Sequence, residues 1–118
     1  MTELRLNAYH IMWLFVFFDL PVTTKKEMKR AALFRKDLEK DGFSMMQFSV
    51  YIRHCASRES MDVHTRRVKS LIPESGKVSI LGITDKQYSN IYNFWGKPSK
   101  RSKIEKKNIS EPAQLELF

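Results

Sequence analysis

The sequence predicts an α+β sandwich, two helices laid across one face of a β-sheet, and three observations predict it. The run Ile11 to Phe18 is eight residues of apolar, aromatic-rich sequence with no polar alternation, which fits a strand buried on both faces at the centre of a sheet. Two later segments, each opened by a capping residue, repeat apolar side chains at helical spacing. Two further stretches, beyond the first strand, alternate with a period of two.

Taken in order, the first strand covers Met12 to Phe18 and stops at Asp19-Leu20-Pro21, where proline brings no N–H to a ladder. Thr24 and Glu27 form a capping box. The helix they open carries Met28, Ala31, Phe34 and Leu38 as its apolar stripe, with Lys25, Lys29, Lys36 and Lys40 largely off it. Asp41-Gly42 ends that helix. Phe43 to His54 reads as a single strand, with Met46, Phe48, Val50 and Ile52 on one side and Gln47, Ser49, Tyr51 and Arg53 on the other.

Ser57 caps a second helix whose inward face is Met61, Thr65, Val68, Leu71 and Ile72, closed by Pro73 and Gly76. Val78, Ile80 and Gly82 alternate with Ser79, Leu81 and Ile83 in a further strand, and Thr84 with Gln87 forms a second capping box over one helical turn. Tyr88 to Trp95 is open between helix and a short strand ending at Gly96. Right-handed crossovers reduce the topologies for this order to a few, of which the ferredoxin-like arrangement is the commonest. Residues 1–96 form that domain, 97–112 a basic linker, and 113–118 a terminal strand or tail.

Composition narrows the chemistry. The chain of 118 residues holds 21 Lys and Arg against 13 Asp and Glu, a net charge of +8. Six bases and one acid lie between Lys97 and Lys107, so +5 of that excess falls in eleven residues. Such a segment attracts phosphate backbones, or is a solvated tail that aids solubility. Cys55 is the single cysteine, which excludes an intramolecular disulfide and a multi-cysteine zinc site and fits a reducing cytoplasm. The apolar run is far short of the ~20 residues of a membrane helix, and no small-residue cleavage site follows it, so neither membrane nor secretion is expected. No Gly-rich phosphate loop, HExxH or nucleophile elbow is present, which removes most other enzyme classes.

The segment Leu14-Phe15-Val16-Phe17-Phe18-Asp19-Leu20-Pro21-Val22 resembles the first strand of the small CRISPR-associated adaptation proteins, the partners of the CRISPR integrase. Gln47-Phe48-Ser49-Val50-Tyr51 is similar to their central signature, and Thr84-Asp85-Lys86-Gln87-Tyr88 to a turn of members from type II systems. The resemblance runs from Met12 to Gly96. It implies a ferredoxin-like βαββαβ core with an additional C-terminal strand, a homodimer, and a divalent cation such as Mg2+ between two copies of Asp19. It further implies a cytoplasmic role bridging integrase dimers on double-stranded DNA during spacer capture, with a metal-dependent endonuclease class that acts on RNA or DNA. Such activity is not generally needed for integration. The family divides Phe43 to His54 into two strands where the residue pattern gives one.

The resemblance makes Asp19 the catalytic and metal-binding candidate, and a carboxylate ending an apolar strand does need a partner or a cation. The alternative is an Asp that caps the turn into Thr23 and Thr24. His10, His54 and His64 lack metal-pair spacing and read as ordinary histidines. Tyr51 and Phe48 read as core or dimer packing in preference to base stacking, because Phe48-Ser49-Val50-Tyr51 lacks the glycine of an RNA-recognition strand. Arg66, Arg67 and Lys69, with Lys100, Arg101 and Lys103, are the candidate phosphate contacts. Leu115, Leu117 and Phe118 are the candidate partner-binding residues of the tail, which the resemblance directs to the integrase. Two rival functions stay open: a non-enzymatic basic RNA-binding module, and a toxin-type endoribonuclease of the same fold.

Overall fold

The computed structural model describes residues 11–96. Strand β1 is Met12–Asp19, helix α1 Lys25–Lys40, β2 Ser44–Gln47, β3 Val50–Cys55, α2 Arg58–Leu71, β4 Lys77–Thr84 and α3 the single turn Asp85–Tyr88. The sheet runs β2-β3-β1-β4 with every neighbouring pair antiparallel. That order in a βαββαβ chain is the ferredoxin-like fold.

Pleating sorts β1 into two sets. Met12, Leu14, Val16 and Phe18 are buried against the helices, where Phe34 and Leu38 of α1 and Val68 of α2 complete the core. Phe18 meets Phe34 edge-on at 5.1 Å between ring centres. Alternate residues of β1 face away from the helices, and there burial is partial. Phe15 is buried and Trp13 is half-buried, but Phe17 is 38% exposed. The expectation of a strand buried on both faces therefore holds only at one end. There Tyr88 of α3 stacks on Trp13 at 4.0 Å, and the indole Nε1 donates to Asp85 Oδ1 at 2.6 Å.

Both capping boxes are present, at Thr24 with Glu27 and at Thr84 with Gln87. Of the α1 stripe, Ala31, Phe34 and Leu38 are buried and Met28 is 46% exposed, because the stripe drifts off the sheet in the first turn. The inward position of α2 falls on His64, with Thr65 bonding back to the Met61 carbonyl at 2.8 Å. After Tyr88 the chain is neither helix nor strand up to Gly96.

The single strand expected over Phe43 to His54 is two. Phe48 and Ser49 make a turn between β2 and β3, and Ser49 lies at φ 67, the left-handed region that costs a non-glycine residue about 1 kcal/mol. Its carbonyl accepts the Phe18 N–H at 3.1 Å, which stitches the turn to β1. The register shift between Met45 and Gln47 completes the departure from one in-phase strand. Phe48 projects into solvent at 83% exposure, whereas Tyr51 is core.

A bolt of polar groups joins the other end. Asp41 caps α1 through its backbone N–H, and its carboxylate accepts from His64 Nδ1 at 2.7 Å through Oδ2 and from Arg67 at 2.9 Å through Oδ1. Arg53, on β3, donates to the Asp41 carbonyl. Gly42, directly after the cap, lies at φ +90, a conformation that strains any residue with a side chain.

Burial pushes the Cys55 thiol above its ordinary 9.0 despite the pull of Arg53, and burial with the Glu39 charge pushes Tyr51 above its ordinary 10.0. Both neutral forms favour the fold, so this stability is complete below the ordinary values and is lost as pH rises through the raised ones. The urea midpoint is expected to fall between pH 8 and pH 10.5, with the Cys55 thiol unreactive to a disulfide reagent at pH 8 until the chain unfolds. A flat midpoint over that range would contradict the burial argument.

Candidate metal and nucleic-acid site

Asp19 closes β1 at the end away from the Asp41 bolt, which reaches the sheet at Arg53, the register partner of Leu14. Its side chain is exposed, on the face that does not carry the helices. The turn that follows needs no cap from it. Glu27 Oε1 accepts both Thr23 N–H and Thr24 N–H at 3.0 Å, and Thr24 Oγ1 accepts Glu27 N–H at 3.1 Å. The capping explanation for Asp19 is thereby filled by another residue, and its carboxylate makes no ion pair or hydrogen bond with a described residue.

The backbone of Asp19 is held from behind. Gly76, at φ +100, lies so close that a Cβ there would stand 2.7 Å from the Asp19 carbonyl oxygen and 3.0 Å from Leu20 Cα. Only glycine combines that dihedral with that approach. The next residue, Lys77, is the register partner of Asp19 across the β1–β4 ladder. Asp19 and Lys77 line a hollow of about 310 Å³ with Phe17, Val50 and the hydroxyl residues Ser49 and Ser79.

Among the described residues no three His, Cys, Asp or Glu side chains come together as a metal cage. One chain offers one carboxylate and neutral oxygens. That donor set does not fit zinc or a caged calcium, but it fits a hydrated magnesium ion, which binds through one or two carboxylates and keeps several waters. A second copy of Asp19 would bring the count to two.

The structure separates the other candidate residues. Arg66, Arg67 and Lys69 are exposed on α2, with Arg67 tied to Asp41. His54 is exposed and meets Trp13 edge-on, and His64 is a buried partner of Asp41. Lys100, Arg101, Lys103, Leu115, Leu117, Phe118 and His10 lie outside the described residues, as do the stretches expected to be a linker and a terminal strand. Sequence reasoning passed over the denser basic surface of α1, where Lys25, Lys26, Lys29, Lys36 and Lys40 are exposed and Arg30 pairs with Glu74 at 3.7 Å. The signal was present in the lysines lying off the apolar stripe. Lys77 was likewise missed, because its place beside Asp19 is set by register alone.

The open sheet face beyond the hollow is apolar. Phe17 and Leu81, 38% and 47% exposed, stand with Val50 and Ile83 on the side without helices. No described helix is long and apolar enough to cross a membrane.

Comparison with known proteins agrees with this arrangement. The family model for CRISPR associated protein Cas2 matches residues 12–91. A CRISPR-associated endoribonuclease Cas2 of Flavobacterium psychrophilum is 52% identical over 114 residues, which is 97% of this chain and 94% of that protein. Another, of Parvibaculum lavamentivorans, is 48% identical over 107 residues, covering 91% of this chain and 100% of that protein. A solved structure described as the crystal structure of cas2 superposes with a TM-score of 0.53 at 22% identity, covering 76% of this chain and 91% of the other, a likeness of fold. With the family model matched over most of the chain and relatives about half identical along it, the chain belongs to the CRISPR associated protein Cas2 family.

Proposed function

We propose that this chain is the homodimeric adaptation subunit of a CRISPR system, bridging integrase dimers on the double-stranded precursor of a new spacer. In this reading it carries a metal-dependent endonuclease site at Asp19. The observation that carries the site is the Asp19 carboxylate, exposed and without a described partner while Glu27 does the capping. Two copies of Asp19 would hold one divalent cation, most suitably Mg2+, which when bound polarises a phosphodiester and strengthens water as a nucleophile. The name that these relatives carry, endoribonuclease, supports hydrolysis of nucleic acid by this chain. The bases of α1 and α2 supply phosphate contacts without sequence information, joined in this proposal by Lys100, Arg101 and Lys103. Leu115, Leu117 and Phe118 serve as the handle for the integrase.

The open apolar face supplies the dimer contact. Phe17, Val50, Leu81 and Ile83 form a continuous patch that water does not favour. Closing it against a second copy buries the patch by a two-fold axis, which also brings the two sheets face to face. Sedimentation at micromolar concentration is expected to give a dimer, and Leu81→Glu to give a folded monomer.

The test of the whole reading is capture of the cognate integrase by the full chain, with Leu81→Glu and a chain lacking Ala113 to Phe118 as comparisons. Capture by the native chain with loss in both variants is expected. A native chain that is monomeric and takes up no integrase would remove the bridging role. Nucleic-acid binding indifferent to Mg2+ and to Asp19 would then favour the basic binding module.

A further inference from the structure

We propose that Lys77 takes a phosphate of the bound nucleic acid and holds it beside Asp19, an assignment that rests on the nucleic-acid reading above. Lys77 opens β4 directly opposite Asp19 in the β1–β4 register. Residues opposed in this way share a face, with Cβ atoms about 4.5–5.5 Å apart. Two opposite charges so placed ordinarily pair, yet no ion pair joins them, nor either of them to another described residue. Both side chains are exposed at the same hollow.

The walls of the hollow match a phosphodiester. Among the described residues the Lys77 ammonium is the one cation on it, and Ser49 and Ser79 bring hydroxyl donors beside it. Asp19 alone would repel a phosphate, so a strand approaching this carboxylate needs a cation at its side. Lys77 supplies it independently of any metal. Its backbone has no latitude to retreat, because Gly76, immediately before it, is packed on the Asp19 carbonyl at a dihedral reserved for glycine.

The experiment is binding of a fluorescent 12-base-pair DNA duplex by the full chain in EDTA, over a range of salt. One phosphate contact at 0.1 M salt corresponds to about 8-fold in affinity on the counterion-release slope. Lys77→Met is expected to weaken binding by that factor and lower the slope by about one, and Lys77→Arg to keep both. Asp19→Asn is expected to tighten metal-free binding. Together, Asp19→Asn and Lys77→Met should show effects that do not simply multiply, since both act on one phosphate. Native affinity and slope in Lys77→Met would overturn the assignment. So would a lowered melting temperature with unchanged binding, the mark of a purely structural cross-strand lysine, and so would independent effects in the double variant. If the expected binding pattern appears but Mg2+ elicits no cleavage, the metal reading fails and Lys77 stands. Cleavage that depends on Asp19 together with native binding by Lys77→Met gives the reverse.

Discussion

Asp19→Asn is expected to lose at least about 100-fold in magnesium-dependent cleavage while the fold and the dimer persist. Altering a group that merely supports a metal ligand costs about 10- to 100-fold, and this substitution removes the charge of the ligand itself. The amide is nearly isosteric, and the carboxylate makes no ion pair or hydrogen bond with a described residue, so little stability is at stake. Because the proposed site spans two copies, one substitution removes both carboxylates. The measurement is single-turnover cleavage of RNA and of duplex DNA against Mg2+ concentration, with circular dichroism and sedimentation on the same samples. Undiminished cleavage would take Asp19 out of the chemistry. Spacer integration in cells is expected to survive the change, since bridging rests on shape and charge.

Asp41→Ala is expected to cost about 3 kcal/mol of stability, in the range for breaking a largely buried polar network. The carboxylate side chain is 11% exposed, as is that of His64, and both of its oxygens are in use. Alanine would leave His64 Nδ1 without its acceptor and Arg67 without its ion pair. The Arg67 arm, 59% exposed, contributes little to the total because water screens it. For a domain of this size the melting temperature should fall by roughly 15 °C. Asp41→Asn should lose less, since the amide can keep one acceptor and His64 can change tautomer to meet its NH2. Thermal and urea denaturation check both, and a loss below 1 kcal/mol in Asp41→Ala would show that the bolt is not holding α1, β3 and α2 together.

The elements that could be read from sequence are those whose signals are local. Capping boxes at Thr24 and Thr84 name their partners three residues on, and both formed as read. The apolar run of β1 named its own length. The β2–β3 hairpin hid because Phe48 and Ser49 include neither the Gly nor the Asn that a positive φ favours, and because Met46, Phe48, Val50 and Ile52 continue an unbroken alternation. What bends the chain there is Ser49 at a positive φ, steadied by the long-range bond from Phe18. His64 was not among the residues read as the helix's inward face, and it is buried because Asp41, distant in sequence, satisfies it. Asp19 stood out by contrast with its neighbours. Its surroundings did not, since Lys77, Ser49 and Gly76 reach it only through register and turn geometry.

The pairing of β1 with β4 has a consequence for the chain as it is made. Trp13 finds its bond to Asp85 across 72 residues, and Met12 its ladder partner in Thr84. The most apolar of the described strands is thus synthesised first among them and flanked on its second side last. At about 5–20 residues per second, that interval is on the order of 4 to 14 s. Through it, β1 offers an aromatic edge with no charge before its last residue, Asp19, to any strand nearby, the kind of segment that nucleates aggregation. Contacts of such long range also place the docking of β4 late and slow. The helices, β2 and β3 can form beforehand from local contacts. Production of this chain is therefore expected to respond to whatever shields nascent strands, lower temperature or a chaperone, far more than its finished stability would indicate.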